Sequence, residues 1–366
     1  MKIKKKQIPY KKKRKLLDAY ENKKYDISEQ LSKSYSKEYP FDGFSWKILG
    51  LILLETNRTS DALEATKKSL SLDSRDSEVL NNLGLILKKL NKKDEAINYL
   101  KQAINLKPDL FPAYKNLGVI FHEQDNFEMA IKYYKKAYKI TPDPEIHHLI
   151  SSIEGKSLSL DNKEYSKKLF DDAASTFDEL LVGKLDYKLP KIVSNLLLEI
   201  NQNNSLGSIL DLGCGTGLFG KEIKKFCNYI EGVDISESML KEALNKKVYN
   251  KLVNADIVDY LSKVDLNFDI FISLDTFIYI GDIEEIFQLI VSRNNLKGKF
   301  IFSTEFKEND KKTEFILQKS GRFSHSHFYI ERLCKEFKYD LKHFEKVKLR
   351  KDKKSYIIGG LYVLEF

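Results

Sequence analysis

Over roughly the first 150 residues, apolar positions recur at helical spacing in short blocks, and the blocks themselves recur. Gly50, Gly84 and Gly118 stand one step of 34 apart, as do Ala62, Ala96 and Ala130, Leu49, Leu83 and Leu117, and Ser74, Pro108 and Pro142. Trp46, Leu80 and Tyr114 fill a bulky position four residues before each glycine. Such a period predicts stacked pairs of helices. The small residues sit where two helices cross closely, and the bulky ones fill the gaps around them. Proline stops the second helix, since it lacks an N–H and clashes with the turn before it. One pair cannot bury its apolar face alone, so copies must stack. Shifted back by one period, Leu16, Ser28 and Pro40 take the glycine, alanine and proline places, and Tyr20, Tyr25, Ile27 and Leu31 keep the apolar pattern. About four repeats are expected over residues 9–144.

From Leu206 the pattern changes to short apolar runs alternating with amphipathic stretches, which predicts parallel strands joined by crossover helices. The strands are expected at Ser208–Asp211, Tyr229–Asp234, Lys251–Asp256, Asp269–Leu274 and Lys299–Thr304. Helices fit near Leu218–Phe226, Glu237–Asn245, Ile283–Arg293 and Phe328–Phe337. Leu341–Leu349 and Tyr356–Phe366, joined by a charged turn at Lys351–Lys354, must form an antiparallel hairpin. Pro142, Pro144 and the serine-rich stretch Ser151–Leu160 mark a linker. The expected organisation is an all-α array over residues 9–150 and an α/β domain over 160–366.

Charge and composition narrow this picture. A formal charge of +9 is concentrated near the start, where Lys2, Lys4, Lys5, Lys6, Lys11, Lys12, Lys13, Arg14, Lys15, Lys23 and Lys24 face Asp18 and Glu21. Such a run can bind phosphate backbones or anionic lipid, but it reads as a solvated basic tail, and nucleic acid is not an expected partner. The tail has no apolar run behind it and does not read as a secretory signal. No apolar run approaches the roughly 18 residues of a membrane span. Cys214, Cys227 and Cys334 match no zinc or redox spacing and read as reduced thiols of a cytoplasmic protein. No metal site is expected.

The chemistry is concentrated in Asp211-Leu212-Gly213-Cys214-Gly215-Thr216-Gly217, between the first strand and the next helix. Glycines there let the backbone turn sharply and approach a ligand, at the sheet edge where open α/β folds bind. Gly215-x-Gly217-x-x-Gly220 also fits the dinucleotide-binding fingerprint, so the glycines alone leave a nicotinamide enzyme open. Asp211 argues otherwise, because a buried acid repels a pyrophosphate but suits a cationic amino group. Asp234 ends the second strand, where an acid accepts hydrogen bonds from ribose hydroxyls in either cofactor class. Asp256 ends the third strand and can bind an exocyclic amine or cap the next helix. Arg322 and His325, in Gly321-Arg322-Phe323-Ser324-His325-Ser326-His327, fall after the fifth strand on what reads as a polar loop. There Arg322 can pair with a carboxylate or phosphate, and His325 can serve as a general base. The alternative is a loop in which Ser326 or His327 caps the next helix.

The first half resembles the tetratricopeptide repeat family. The second resembles class I S-adenosylmethionine-dependent methyltransferases, through the Asp-x-Gly-x-Gly-x-Gly run, the three strand-end acids, Phe268–Asp275, the Leu296-Lys297-Gly298-Lys299 loop and the terminal hairpin. As a whole the chain resembles bacterial methyltransferases that carry tetratricopeptide repeats. The resemblance implies S-adenosylmethionine as cofactor, held by Asp211, Gly213, Gly215, Gly217, Asp234 and Asp256. It also implies that the backbones of Ile257 and Leu274 reach the adenine and the methionine part, and that Tyr279 lies near the transferred methyl. Tyr165, Phe170 and Phe177 match a helical lid over the cofactor or the substrate entrance, which makes Tyr165 a cofactor-binding candidate; ordinary helix-face packing is the alternative. Repeat grooves of this kind take a protein or peptide partner. The expected activity is methyl transfer to a carboxylate, a hydroxyl or a protein, with a non-catalytic cofactor-binding scaffold or an NAD-dependent oxidoreductase as alternatives.

Overall fold

The computed structural model describes residues 6–155, 163–202, 205–307, 313–352 and 355–366. The chain divides into two compact units, Met1–Ile150 and Ser151–Phe366. Residues 1–5, part of the serine-rich linker and the tip of the terminal hairpin lie outside the described residues; the rest of the expected basic tail is no tail, since Tyr10–Glu21 is a helix that buries Leu16 and Ala19.

The first unit is built of helix pairs: α1 (Tyr10–Glu21) with α2 (Tyr25–Glu38), α3 (Phe44–Glu55) with α4 (Thr59–Leu72), α5 (Ser77–Lys89) with α6 (Lys93–Leu106), and α7 (Phe111–Glu123) with α8 (Phe127–Ile140). Helix α9 (Pro144–Glu154) follows. The glycine step has a steric cause: a Cβ on Gly118 would lie 2.4 Å from the Tyr134 ring, and one on Gly84 2.5 Å from Leu100. The first pair solves the same crossing with the bulk exchanged. Leu16 stands at the glycine position and is fully buried, and the position of Tyr134 and Leu100 is held by buried Ser32. A second 34-residue register lies in the turns, where Lys23, Asn57, Asn91 and Asp125 all take φ between 56° and 60°. This left-handed residue lets each pair close in a short connection. A third register ties repeats together. Lys13 reaches Asp42 at 3.5 Å, and Lys47 reaches Asp76 at 3.1 Å and Glu78 at 2.8 Å. Lys115 pairs with Glu145, while Asn81, at the same register position, accepts from Asn116 Nδ2 at 3.0 Å.

The second unit opens with α10 (Lys163–Ala173), a 3₁₀ turn at Ala174–Thr176, a π-helical turn at Glu179–Lys184, and α11 (Leu189–Ile200). Then β1 (Ser208–Leu212), α12 (Leu218–Ile223), β2 (Tyr229–Asp234), α13 (Glu237–Lys246), β3 (Lys251–Asn254), α14 (Ile257–Lys263), β4 (Ile270–Ser273), α15 (Glu284–Arg293) and β5 (Lys299–Lys307) alternate. β6 (Phe315–Leu317), β7 (Phe323–Ser326), α16 (His327–Phe337), β8 (Asp340–Asp352) and β9 (Ser355–Glu365) complete the unit. Strands β3, β2, β1, β4 and β5 lie side by side in that order, all parallel. β9 runs antiparallel against β5 and pairs with β8. Alternation along the strands builds two different cores. Phe271, Phe300, Phe302 and Tyr362 point into one with Phe287 and Tyr329; Ile270, Ile272, Ile301 and Val363 point into the other with Val193 and Leu197.

One expected loop is a strand. Phe323–Ser326 forms β7, which pairs with the end of β5 in parallel and with β6 antiparallel. The cause is burial: all four residues are shielded, so their backbone groups must be paired within a sheet. Ser326 then caps α16, its Oγ accepting from the Tyr329 amide at 3.2 Å.

Candidate active site

A cavity of about 820 Å³ opens at the carboxyl ends of β1, β2 and β4, within the usual size range of ligand clefts. Asp211, Gly213, Gly215, Asp234, Asp256, Ile257, Leu274, Tyr279 and Arg322 all line it. Segments far apart in sequence meet there because each parallel strand delivers its terminal residue to the same edge.

The loop after β1 shows what its glycines do. Gly213, Gly215 and Gly217 all have positive φ, at 76°, 53° and 85°. A Cβ on Gly213 would strike Thr276 at 2.4 Å, whereas a Cβ on Gly215 would meet nothing within 4 Å. Gly215 therefore faces open cavity, and a side chain there would fill ligand space. Gly217 is not on the cavity wall, and its missing side chain makes room for the Tyr249 ring.

The acids take distinct environments. Asp211 is buried at the end of β1, where Oδ2 accepts from the Tyr249 hydroxyl at 2.6 Å. Burial pushes its pKa up to about 7 against the pull of that bond, with nearby Asp234 adding to the rise. Asp234 accepts from the Gly215 amide and the Ser236 amide, each at 2.8 Å. Burial dominates here too and brings it to about 6. Two buried acids that resist ionisation favour a ligand carrying positive charge and hydrogen-bond donors. Asp256 caps α14, with Oδ1 accepting from Val258 at 3.0 Å and Asp259 at 3.2 Å, and pairs with Lys163 at 2.9 Å. The capping alternative thus holds for Oδ1, while Oδ2 has no partner among the described residues.

The segment ahead of α11 covers these loops and is tied once to each. Lys163 binds Asp256 after β3. Asp171 accepts from the Ser236 hydroxyl at 2.6 Å and the Ser238 amide at 3.2 Å, after β2. Asp178 accepts from the Thr216 hydroxyl, after β1, and pairs with Lys246 at 2.7 Å. Phe170 and Phe177 line the cavity, and Phe170 packs edge-on against Tyr279 with ring centroids 4.8 Å apart. Tyr165 is buried but is not on the wall.

Residues 203–356 match the family described as "Methyltransferase domain", and residues 77–110 and 111–144 each match a tetratricopeptide repeat. The second unit is a class I S-adenosylmethionine-dependent methyltransferase domain. Curated relatives of this domain include a malonyl-[acyl-carrier protein] O-methyltransferase of Bacillus cereus, 26% identical over 146 residues, or 39% of this chain and 53% of that protein. Malonyl-[acyl-carrier protein] O-methyltransferase 1 of Ilyobacter polytropus is 34% identical over 102 residues, 26% of this chain and 37% of that protein. The chain spans about half the length, or less, of these relatives. Among solved structures, magnesium protoporphyrin IX methyltransferase from Synechocystis PCC 6803 with bound S-adenosylmethionine aligns with 57% of this chain and 99% of its own, at 16% identity and a TM-score of 0.43. MamA aligns with 38% of this chain and 83% of its own, at 25% identity and a TM-score of 0.34.

The far end of the methyltransferase cavity differs from the sequence expectation. His325 is fully buried on β7 and does not reach the wall. Its Nε2 donates to the Gly281 carbonyl at 2.8 Å, and burial pushes its pKa down to about 4. The strand, not a loop, carries it inward, so it is not placed to take a proton from an acceptor. Arg322 does line the cavity and makes no side-chain hydrogen bond or ion pair among the described residues. Arg350, on β8, also lines it, with Nη1 2.6 Å from Asp275 Oδ2 and Nη2 bound to Glu305. Nothing in the local sequence marked Arg350, whose partners lie 75 and 45 residues away.

Proposed function

We propose that this protein transfers a methyl group from S-adenosylmethionine to a carboxylate-bearing acceptor held at the Tyr279–Arg322 end of the cavity. In this reading residues 160–366 are the transferase, and the repeats over 9–150 recruit a protein partner or the substrate itself. The observation that carries it is one cavity that brings together open Gly215, the strand-end acids and Arg322, an arginine with no bonded side-chain partner among the described residues. When bound, the cofactor supplies an electrophilic methyl group on a sulfonium. Asp234 would take the ribose hydroxyls, Asp256 the adenine amine beside the Ile257 backbone, and Asp211 the amino group, with Leu274 beside the methionine part. The lid aromatics Phe170 and Phe177 exclude water.

A carboxylate acceptor is already ionised and needs no general base, which agrees with His325 being out of reach. Arg322 would bind one carboxylate oxygen and orient the other. Methylation removes the acceptor's charge, so the product loses that pairing and leaves. The curated relatives named as malonyl-[acyl-carrier protein] O-methyltransferases support an acceptor of this class. Calorimetry of the full chain with S-adenosylhomocysteine and with NAD tests the donor half. Binding of NAD and not S-adenosylhomocysteine would sink it. A labelled-methyl transfer assay over fractionated cell extract, with base hydrolysis of the product, tests the acceptor half. A methyl ester releases methanol; a base-stable product would overturn the carboxylate assignment.

A further inference from the structure

We infer that the acceptor end is a two-point site for a compound carrying a carboxylate and, close to it, a hydrogen-bond-donating hydroxyl or ammonium group: Arg322 takes the first and Asp275 the second. This rests on the methyltransferase reading and narrows it. Arg322 offers its planar fork of N–H donors to the cavity with no bonded partner among the described residues. Its charge is felt by Glu305, but Glu305 is already engaged by Arg350. Arg350 is consumed in turn, with 4% of its side chain exposed and both ends of its guanidinium on carboxylates. It therefore holds the site together and leaves recognition to Arg322.

Asp275 is the counterpart. One oxygen is bound by Arg350, and the other, Oδ1, is buried with no partner. A buried, unpaired carboxylate oxygen costs free energy, so its persistence calls for a group that completes it. The residue is also held at φ 55°, a conformation rare outside glycine, with its amide bonded to Ser303 Oγ at 2.8 Å. Three elements thus fix Asp275 beside Leu274 and Thr276 on the cavity wall: the loop after β4, β5 through Ser303, and β8 through Arg350. Phe315 and Phe323 line the same end, which strengthens polar contacts made there by displacing water.

The test is calorimetry on the full chain saturated with S-adenosylhomocysteine, titrated with butyrate, butylamine, 3-hydroxybutyrate and 4-aminobutyrate. The two bifunctional probes should bind at least tenfold tighter than butyrate, and butylamine should not bind. Arg322→Gln should weaken every carboxylate at least tenfold. Asp275→Asn should erase the advantage of the bifunctional probes over butyrate, read as the ratio of the affinities within the variant. Equal binding of butyrate and 3-hydroxybutyrate by the unaltered protein overturns the Asp275 role without any variant. Unchanged affinity in Arg322→Gln overturns the anchor. If no probe binds a protein that does bind S-adenosylhomocysteine, the two-point site is wrong and the donor reading stands; if S-adenosylhomocysteine itself fails to bind, the donor reading falls first.

Discussion

Cofactor affinity should depend on pH in a way set by the two buried acids. Asp211 titrates near 7 and Asp234 near 6 in the free protein, both above the 3.8 of an unperturbed aspartate, and burial is the leading cause in each. The cationic amino group and ribose donors of S-adenosylhomocysteine favour the ionised forms, so binding near pH 6 must expel protons. The sign follows: affinity falls as pH falls through 7. If only ionised Asp211 binds, affinity at pH 6 is reduced by about 11-fold relative to pH above 8, and half-protonated Asp234 adds a factor of about 2. Together these give about 20-fold, or roughly 1.8 kcal/mol. Without ligand the same acids make stability fall as pH rises from 3.8 towards 7, since the folded state then holds the extra protons. Calorimetry from pH 5.5 to 8.5, in buffers of different ionisation enthalpy, reads both the affinity and the protons released. Asp211→Asn should flatten most of the dependence. A flat affinity across this range, with no proton release, would refute the reasoning.

Four further outcomes follow from the geometry. Gly215→Ala puts a methyl group into open cavity at a φ of 53°; S-adenosylhomocysteine affinity should drop at least tenfold with the circular dichroism spectrum unchanged, and normal affinity would remove Gly215 from the site. Asp178→Asn loses a tie to Lys246 that is partly exposed, so the expected effect is modest, about 0.5–1 kcal/mol, read as a few-fold faster ligand release in stopped flow; an unchanged rate would mean the lid does not gate release. Gly118→Ala drives a Cβ into the Tyr134 ring and should destabilise the repeats by about 1–3 kcal/mol in urea unfolding, with cofactor affinity as the unaffected control. His325→Ala should cost about 2–4 kcal/mol of stability through a lost buried ring and hydrogen bond; a thousandfold fall in kcat with stability intact would restore it as a proton acceptor.

The parts of this molecule that were legible in the sequence are those whose cause is local. A 34-residue step in small residues follows from one helix crossing, and Gly84 against Leu100 needs only the neighbouring helix to explain it. The same step in Lys23, Asn57, Asn91 and Asp125 was equally present, but it lies in polar residues whose shared property is a backbone angle. A lysine in that set hides it from any search keyed to glycine or asparagine. The strands β1 to β5 announce themselves by apolar runs, whereas β7 reads as polar because Ser324, His325 and Ser326 are buried by neighbours on both sides rather than by their own character.

This asymmetry runs through the cavity itself. The end proposed for the donor is made from residues at or within two places of a strand's carboxyl end, so the sheet order alone assembles Asp211, Asp234 and Asp256, and a short glycine run predicts the rest. The end proposed for the acceptor is assembled by long-range ionic contacts. Arg350 comes from the penultimate strand and occupies Asp275 and Glu305 across the sheet, while Arg322 has no bonded side-chain partner among the described residues. No spacing in the chain encodes that result; it depends on β9 inserting between β5 and β8, which sets Arg350 opposite the loop after β4. On the proposed reading, substrate choice in this domain rests on the terminal hairpin as much as on the cofactor loops. On the proposed reading, exchanging the charges at Arg322, just before β7, and at Arg350, on β8, would change the acceptor while leaving the donor loops as they are.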